Sequence, residues 1–197
     1  KLAEKLEEAH PDDAKAYTVQ GDMYLTIDET DNAIEYYEKA TALDNNNYVV
    51  WNNLLDLLLR KSEYDQVLQF SEKAMISFPN QASIYYFNGF DNFRKKKYED
   101  ANWAFEQGRK LATGDPNLRS FFDSLLGDSY NAIGNNRKSD EAYERVLEVD
   151  PDNYLVLNNY SYYLAERGEK LEQAREWSEK ASRNNPDNAT FLDTYAW

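Results

Sequence analysis

The chain has 197 residues, 42% of them hydrophobic, and a formal net charge of −14. This composition excludes a wholly disordered protein, and the absence of any long apolar run excludes a membrane-spanning helix, so we expect a soluble chain. Because so acidic a surface repels phosphate, a nucleic-acid partner is disfavoured and basic or neutral partners are favoured. The lack of cysteine excludes disulfides and thiolate metal sites.

Both ends of the sequence have the character of interrupted segments. The chain begins with Lys1 rather than Met, and it stops at Trp197 inside the apolar run FLDTYAW. We therefore expect an excerpt of a longer protein, with any signal peptide, lipid anchor or further domain lying outside it.

A stop signal that usually contains proline recurs at a nearly constant spacing. Pro11, Asn45 and Pro79 lie 34 residues apart, Pro151 follows 72 residues later, and Pro186 follows after another 35. A period of this length predicts a stacked repeat in which each repeat is one supersecondary element. Since proline cannot continue a helix, PDN at 151–153 and 186–188 is interpreted as the stop between repeats.

Each repeat contains two amphipathic stretches separated by a short polar turn, which predicts a helical hairpin. Tyr17 and Tyr24 lie on one such face, and Ile34 and Tyr37 lie on the next. Small residues recur where the two helices of a hairpin should approach closely. They are Gly21, Gly89, Gly127 and Ser161 in the first helices and Ala33, Ala101, Ser139 and Ala174 in the second.

This pattern resembles the tetratricopeptide repeat, whose loose signature is W-x2-L-G-x2-Y, then A-x3-F, then P. Leu126-Gly127-x2-Tyr130, followed by Tyr143 and Pro151, carries much of the resemblance. The resemblance implies an all-α fold, a right-handed α-solenoid of stacked helix-turn-helix repeats. Leu55, where a first-helix glycine is usual, and Val67, where a second-helix alanine is usual, depart from the family pattern.

We divide the chain, as a single array over residues 1–197, into five complete repeats and two partial ones. Residues 1–13 resemble the second helix of a preceding repeat, and residues 189–197 resemble the start of a further one. The complete repeats are predicted at 14–47, 48–81, 82–119, 120–153 and 154–188.

The resemblance implies a scaffold or adaptor that binds a protein or peptide partner in a concave groove lined by the first helices. In the family, the groove positions are the second, fifth, ninth and twelfth residues of a repeat. The partner-binding residues selected from these positions are Asp22, Asn52, Asp56, Tyr86, Phe90, Phe93, Ser124, Asp128, Asn131, Asn158 and Tyr162.

The predicted groove residues indicate the character of the ligand. The fifth and ninth positions contain no Lys or Arg, so a clamp for a terminal carboxylate is disfavoured. Tyr86, Phe90 and Phe93 form an aromatic patch, with Asp56 and Asp128 on either side. This pattern favours a peptide with apolar or aromatic anchors and a few basic residues.

Structural roles compete with these assignments. Aromatic residues at helical spacing are typical of packing between repeats, and an Asp that recurs at one phase, as Asp22, Asp56 and Asp128 do, is typical of a solvated or paired side chain. An alternative function is self-association, through the ends of the array or through the convex face around Trp103.

Catalysis is not predicted. His10 is the only histidine, no glycine-rich phosphate loop is present, and no pair of carboxylates is distinguished from the 36 acidic residues. We therefore expect no enzyme, no cofactor and no metal. The Asn-rich and Tyr-rich sequence, with its PDN stops, resembles bacterial repeat proteins, some of which are exported to the periplasm or anchored at the outer membrane. The sequence does not determine the cellular compartment.

Overall fold

The computed structural model describes residues 12–196, and this part of the chain is helical and contains no strand. The second helix predicted for residues 1–13 falls almost wholly outside the described residues. The molecule has two compact units. Unit 1 extends to Lys97, and unit 2 begins at Tyr98.

The described part of unit 1 consists of helices α1 to α5. Their bounds are Ala14–Thr26, Thr30–Leu43, Tyr48–Arg60, Tyr64–Ser77 and Ala82–Arg94. Helix α1 packs against α2, and α3 packs against α4, so that each pair forms a hairpin. Tyr37, Leu54, Leu55 and Ile84 are fully buried in the core of this unit.

Unit 2 consists, in its described part, of helices α6 to α11. Their bounds are Tyr98–Leu111, Pro116–Ala132, Asn136–Val149, Tyr154–Arg167, Leu171–Asn184 and Ala189–Ala196. The hairpins are α7 with α8 and α9 with α10. Each large apolar side chain that is fully buried, such as Phe122 or Leu164, stabilises the fold by about 1.5–3 kcal/mol through removal of apolar surface from water.

The residue that ends the PDN stop starts the next helix. Asn153 accepts a hydrogen bond from the Val156 amide at 3.2 Å and caps α9. Asn188 accepts in the same way from the Thr190 amide at 3.1 Å, ahead of α11. A capping side chain satisfies an amide that the helix leaves without a partner. The stop is therefore also a start signal.

The turns that follow the first helices of the repeats contain a residue with a left-handed backbone. In unit 1 these residues are Asp28, Ser62 and Lys96, with φ of 59°, 61° and 60°. In unit 2 they are Gly134 and Gly168, with φ of 71° and 68°, and Lys170, with φ of 43°, follows in the same turn as Gly168. A residue with a Cβ is strained in this conformation, and glycine is not. At this turn position, Gly134 and Gly168 therefore avoid the strain that Asp28, Ser62 and Lys96 carry, although Lys170 of unit 2 is itself left-handed.

Glycines and tyrosines pack together inside two of the hairpins. A Cβ at Gly21 would overlap with the Tyr37 ring, and one at Gly127 would overlap with the Tyr143 ring. The equivalent positions of the hairpin formed by α3 and α4 are Leu55 and Ser71, and both side chains are fully buried. In this hairpin the large side chain is on the first helix and the small one is on the second. The space between the helices is still filled, although the large and small side chains have exchanged helices.

Candidate functional site

The aromatic patch predicted for α5 lies within unit 1. The Tyr86 ring centroid is 5.7 Å from that of Phe90, and Phe93 lies one turn further along the helix. All three side chains are half-buried. Burial and the nearby Asp56 carboxylate both raise the pKa of Tyr86. Asp56 is also paired with Arg60 on its own helix, at 2.8 Å, so part of its charge is neutralised.

Asn52 belongs to a small network between α3 and α5. Its Oδ1 atom accepts a hydrogen bond from the Ser83 hydroxyl at 3.0 Å and one from the Tyr48 hydroxyl at 3.4 Å. The Tyr48 and Ser83 hydroxyls are themselves 2.8 Å apart. The side-chain oxygen of Asn52 is therefore occupied, and its amide nitrogen donates to no acceptor within residues 12–196.

We call Asp22, Tyr37 and Asn53 the Asp22 cluster. The Tyr37 hydroxyl donates to Asp22 Oδ1 at 2.7 Å, and the Asn53 side chain hydrogen-bonds to Tyr37. Because the neighbouring Gly21 brings α1 against the Tyr37 ring, the next residue, Asp22, meets the hydroxyl. Asp22 itself is exposed.

The corresponding Asp128 cluster in unit 2 consists of Asp128, Tyr143, Asn159 and Tyr163. Asp128 Oδ1 accepts three hydrogen bonds, from the Tyr143 hydroxyl at 2.5 Å, the Tyr163 hydroxyl at 3.2 Å and the Asn159 amide at 3.3 Å. Burial raises the pKa of Asp128, although these three donors act against the shift. Within the described chain, Oδ2 receives no hydrogen bond.

Asp128 forms part of the wall of a pocket of about 380 Å³ between α7 and α9. Its apolar lining includes Leu155, which is 60% exposed, and Val149, which is 48% exposed. Its polar lining includes Ser124, Asn153, Asp150 and Asn159. The pocket therefore combines an apolar mouth with carboxylate and amide groups, an arrangement suited to one amphipathic side chain of a ligand.

The remaining predicted residues of unit 2 lie outside this pocket. Asn158 is only 2% exposed, and its amide donates to Asn159 Oδ1 at 3.2 Å. The Tyr162 hydroxyl donates to Glu166 at 3.0 Å, and this carboxylate raises the pKa of Tyr162. Asn131 is half-buried on the last turn of α7. Ser124 and Asp128 are thus the two predicted residues that the structure brings together here.

Asn159, Tyr143 and Asn153 line the pocket but were not among the predicted site residues. One signal in the sequence could have found the first two. Tyr37 follows Asp22 by 15 residues and Asn53 follows it by 31, and the same two intervals separate Tyr143 and Asn159 from Asp128. A polar triplet that returns at two fixed intervals indicates a cluster formed across adjacent repeats.

Between residues 12 and 196 no group of three or more His, Cys, Asp or Glu side chains is placed to hold a metal ion. None of the helices in that range is long and apolar enough to cross a bilayer.

Models of the tetratricopeptide repeat match the chain over residues 14–47 and over residues 124–189. Helical hairpins with this packing, together with these matches, define a helical-repeat protein of the kind that serves as a protein-interaction scaffold. The chain belongs to the tetratricopeptide repeat family. The family prediction made from the sequence is confirmed.

Curated relatives carry the same repeat. A TPR repeat-containing protein of Pseudomonas aeruginosa is 29% identical over 143 residues, which make up 72% of this chain and 24% of the relative. One of Methanocaldococcus jannaschii is 24% identical over 163 residues, or 80% of this chain and 29% of the relative. The chain thus spans less than a third of either relative's length.

Solved structures show the same fold. YrrB, a TPR protein with an unusual peptide-binding site, has a TM-score of 0.77 at 20% identity, covering 100% of this chain and 99% of its own. MamA has a TM-score of 0.75 at 22% identity, covering 89% of this chain and 93% of its own. The predicted all-α solenoid of helix-turn-helix repeats is confirmed. The repeat bounds stay a prediction.

Proposed function

We propose that this chain is a non-catalytic scaffold that binds a peptide segment in the pocket between α7 and α9, and that the segment carries a basic residue beside an apolar one. A single observation carries the proposal. Asp128 holds three donors on one carboxylate oxygen and none from the described chain on the other, while lining an open pocket. The free oxygen is an acceptor already held in place for a donor of the ligand.

The charge of the pocket favours a cation. Asp128 and Asp150 both contribute to its lining, and no Lys or Arg does. A Lys or Arg side chain would place its charged end at Asp128 Oδ2 and its methylene stem along the apolar lining at Leu155 and Val149. Tyr143 and Tyr163 keep the carboxylate oriented before the ligand arrives, which lowers the entropy lost on binding.

A second set of contacts is proposed on unit 1. The half-buried rings of Tyr86, Phe90 and Phe93 offer apolar area for an aromatic or aliphatic anchor, and the Asn52 amide offers a donor to an extended backbone. The peptide-binding site of YrrB, whose fold this chain shares, supports a peptide as the ligand class. Asn158 is left out of the proposed contacts because it is buried.

The test starts from a peptide library displayed on phage and selected against the whole purified chain. We expect the enriched peptides to share a Lys or Arg next to an apolar residue. A selected peptide should then bind Asp128→Asn at least about tenfold more weakly, because a charge-assisted hydrogen bond is lost. Asp22→Asn is the matched control, since it removes the same charge from the equivalent cluster in unit 1, and it should leave affinity unchanged.

The pH dependence provides an independent readout. Binding of a cation requires ionised Asp128, and burial raises the pKa of this carboxyl, so protonation sets in at a higher pH than for an exposed Asp. Affinity of the wild type should therefore fall as the pH is lowered, and affinity of Asp128→Asn should not. Equal binding by wild type and Asp128→Asn, or selected peptides that lack a basic residue, would contradict the proposal.

A further inference from the structure

A second pocket of unit 2 lies between α6 and α8 and over α7. Its volume is about 290 Å³. Basic side chains predominate in its lining, with Arg109, Lys110, Lys138 and Arg145, while Glu106 and Glu141 are also present. The whole chain has 36 acidic residues against 22 basic ones. The pocket thus reverses the balance of charge found in the rest of the sequence.

The two arginines of this pocket are held in place by one buried carboxylate. The buried Asp123 carboxylate accepts from Arg109 Nε at 2.7 Å, and from Arg145 Nε and Nη2 at 2.8 and 2.6 Å. A guanidinium has five N–H groups, and these bonds use only part of them. Both arginines also line the pocket, and their remaining N–H groups have no hydrogen-bond acceptor in the described residues, so they can donate to an occupant.

Two lysines complete the positive lining. The Lys138 ammonium lies 3.2 Å from the Tyr130 hydroxyl, 4.7 Å from the centroid of the same ring and 3.6 Å from a Glu106 oxygen. Lys110 is exposed and forms no ion pair with any residue of the described chain. The Glu106 carboxylate lies at the edge of ion-pair distance from Lys138, and it also accepts a hydrogen bond from the Tyr130 hydroxyl. Both lysines therefore keep unused hydrogen-bonding capacity.

The start of α8 differs from the start of every other described second helix. The first turn contains Asp31 in α2, Asp65 in α4, Glu99 in α6 and Glu172 in α10, as the positive end of a helix dipole favours. The first turn of α8 contains no acidic residue and begins Asn-Arg-Lys. Cations at this end are unfavourable for the helix alone, and they add to the positive potential of the pocket.

We propose that this pocket is an oxyanion site that takes a doubly charged phosphoryl group, either as free phosphate or on a phosphorylated side chain. Arg109 and Arg145 supply planar donors that match phosphate oxygens, and Lys138 and Lys110 supply point charges. The anion would neutralise the excess cations and relieve the repulsion at the start of α8. The site is separate from the peptide pocket, whose lining residues it does not share.

The first measurement is a titration of the whole chain with inorganic phosphate at constant ionic strength, followed through the backbone amide resonances of α6 to α8. We expect saturable shifts near Arg109, Tyr130 and Lys138. The variant Lys110→Gln with Lys138→Gln removes two cations, neither of which contacts Asp123, so it should remain folded. Its phosphate affinity should be lower by about tenfold or more.

A matched double variant controls for net charge. Arg175→Gln with Lys180→Gln removes the same charge from α10 of the same unit and should bind phosphate as the wild type does. Arg145→Lys keeps the charge but loses the planar donors, and it should weaken binding as well. Absence of saturable shifts, or equal shifts in the Lys110→Gln and Lys138→Gln double variant, would overturn the proposal.

The two sources of the phosphoryl group are distinguished by a second ligand. A short neutral peptide containing one phosphoserine is titrated beside inorganic phosphate, with the unphosphorylated peptide as its control. Tighter binding of the phosphopeptide assigns the site to a phosphorylated partner, and tighter binding of inorganic phosphate assigns it to the free ion. If the unphosphorylated peptide produces the same shifts, the phosphoryl group is not what the pocket recognises.

Discussion

The Asp22 cluster and the Asp128 cluster are made of the same residue types at the same spacing, but Asp22 is exposed, whereas Asp128 is half-buried and lines a pocket. In unit 1, the Tyr37 hydroxyl donates to an exposed carboxylate. In unit 2, Asp128 receives a second hydroxyl, that of Tyr163, and its environment raises its pKa. The repeat therefore reproduces a hydrogen bond, whereas the surroundings decide whether that bond becomes part of a pocket lining.

Truncation of the shared tyrosine should have the largest effect on this comparison. Tyr37→Ala and Tyr143→Ala should each lower the free energy of unfolding by about 3–5 kcal/mol, because each removes a fully buried ring. The loss should be greater for Tyr143, whose ring stacks on Tyr160 with centroids 5.1 Å apart. Urea denaturation measures the loss, and amide hydrogen exchange assigns it to one unit. A larger loss for Tyr37 would contradict the comparison.

The glycines beside the two aspartates should behave alike. Gly21→Ala and Gly127→Ala each place a Cβ against the face of a buried tyrosine ring, so each should destabilise the chain by about 1–3 kcal/mol through overpacking. Thermal unfolding of the two variants checks this. Gly114→Ala is the control, since a Cβ there meets no atom within 4 Å. A difference between the two variants well beyond the error of measurement would show that the hairpins are not equivalent.

Removal of the hydroxyl alone should separate the two clusters. Tyr143→Phe leaves the partly buried Asp128 with one donor fewer, and it should destabilise by about 1–2 kcal/mol. In Tyr37→Phe, water can replace the lost donor because Asp22 is exposed. The free energy of unfolding should therefore fall by less than about 1 kcal/mol. Equal effects, measured by urea denaturation, would mean that the burial of the two carboxylates does not differ in energy.

The hairpin turns should give the smallest effect, and a gain rather than a loss. Lys96 has φ of 60° where the corresponding residues of unit 2 are Gly134 and Gly168. Lys96→Gly should raise the free energy of unfolding by about 0.5–1 kcal/mol, because glycine adopts this backbone without strain. Lys96→Ala removes the charge but keeps the strain, and it should bring no gain. A gain in the Ala variant would point to charge rather than backbone strain.

The sequence alone sufficed for the family and for the places where helices approach each other. Gly21 and Gly127 were identified from their recurrence, and the structure places a tyrosine ring against each. Leu55 was recognised as a departure, but its compensation by Ser71 was not, because that exchange becomes visible only when both helices are aligned in space. A short-range sequence pattern shows which helix faces are apolar. It does not show which two side chains, one on each helix, fill the same space between the helices.

The candidate site was predicted less completely, for a geometric reason. The fifth position of the last full repeat is Asn158, which is buried, while the neighbouring Asn159 reaches Asp128. Adjacent residues on a helix point about 100° apart, so an offset of one position changes the surface that a side chain meets. The pocket between α6 and α8 gave no local signal either, since the contact of Arg109 and Arg145 with Asp123 joins three helices.

Asp123 also has a consequence for how unit 2 unfolds. Its carboxylate lies on α7 and is shared by Arg109 of α6 and Arg145 of α8. In a repeat array, stability is approximately a sum of terms for single repeats and for the interfaces between neighbours. If either outer helix separated, the buried charge would lose part of its compensation. Separation of one helix therefore raises the free energy of the helices that remain packed. We expect α6, α7 and α8 to unfold as one cooperative block.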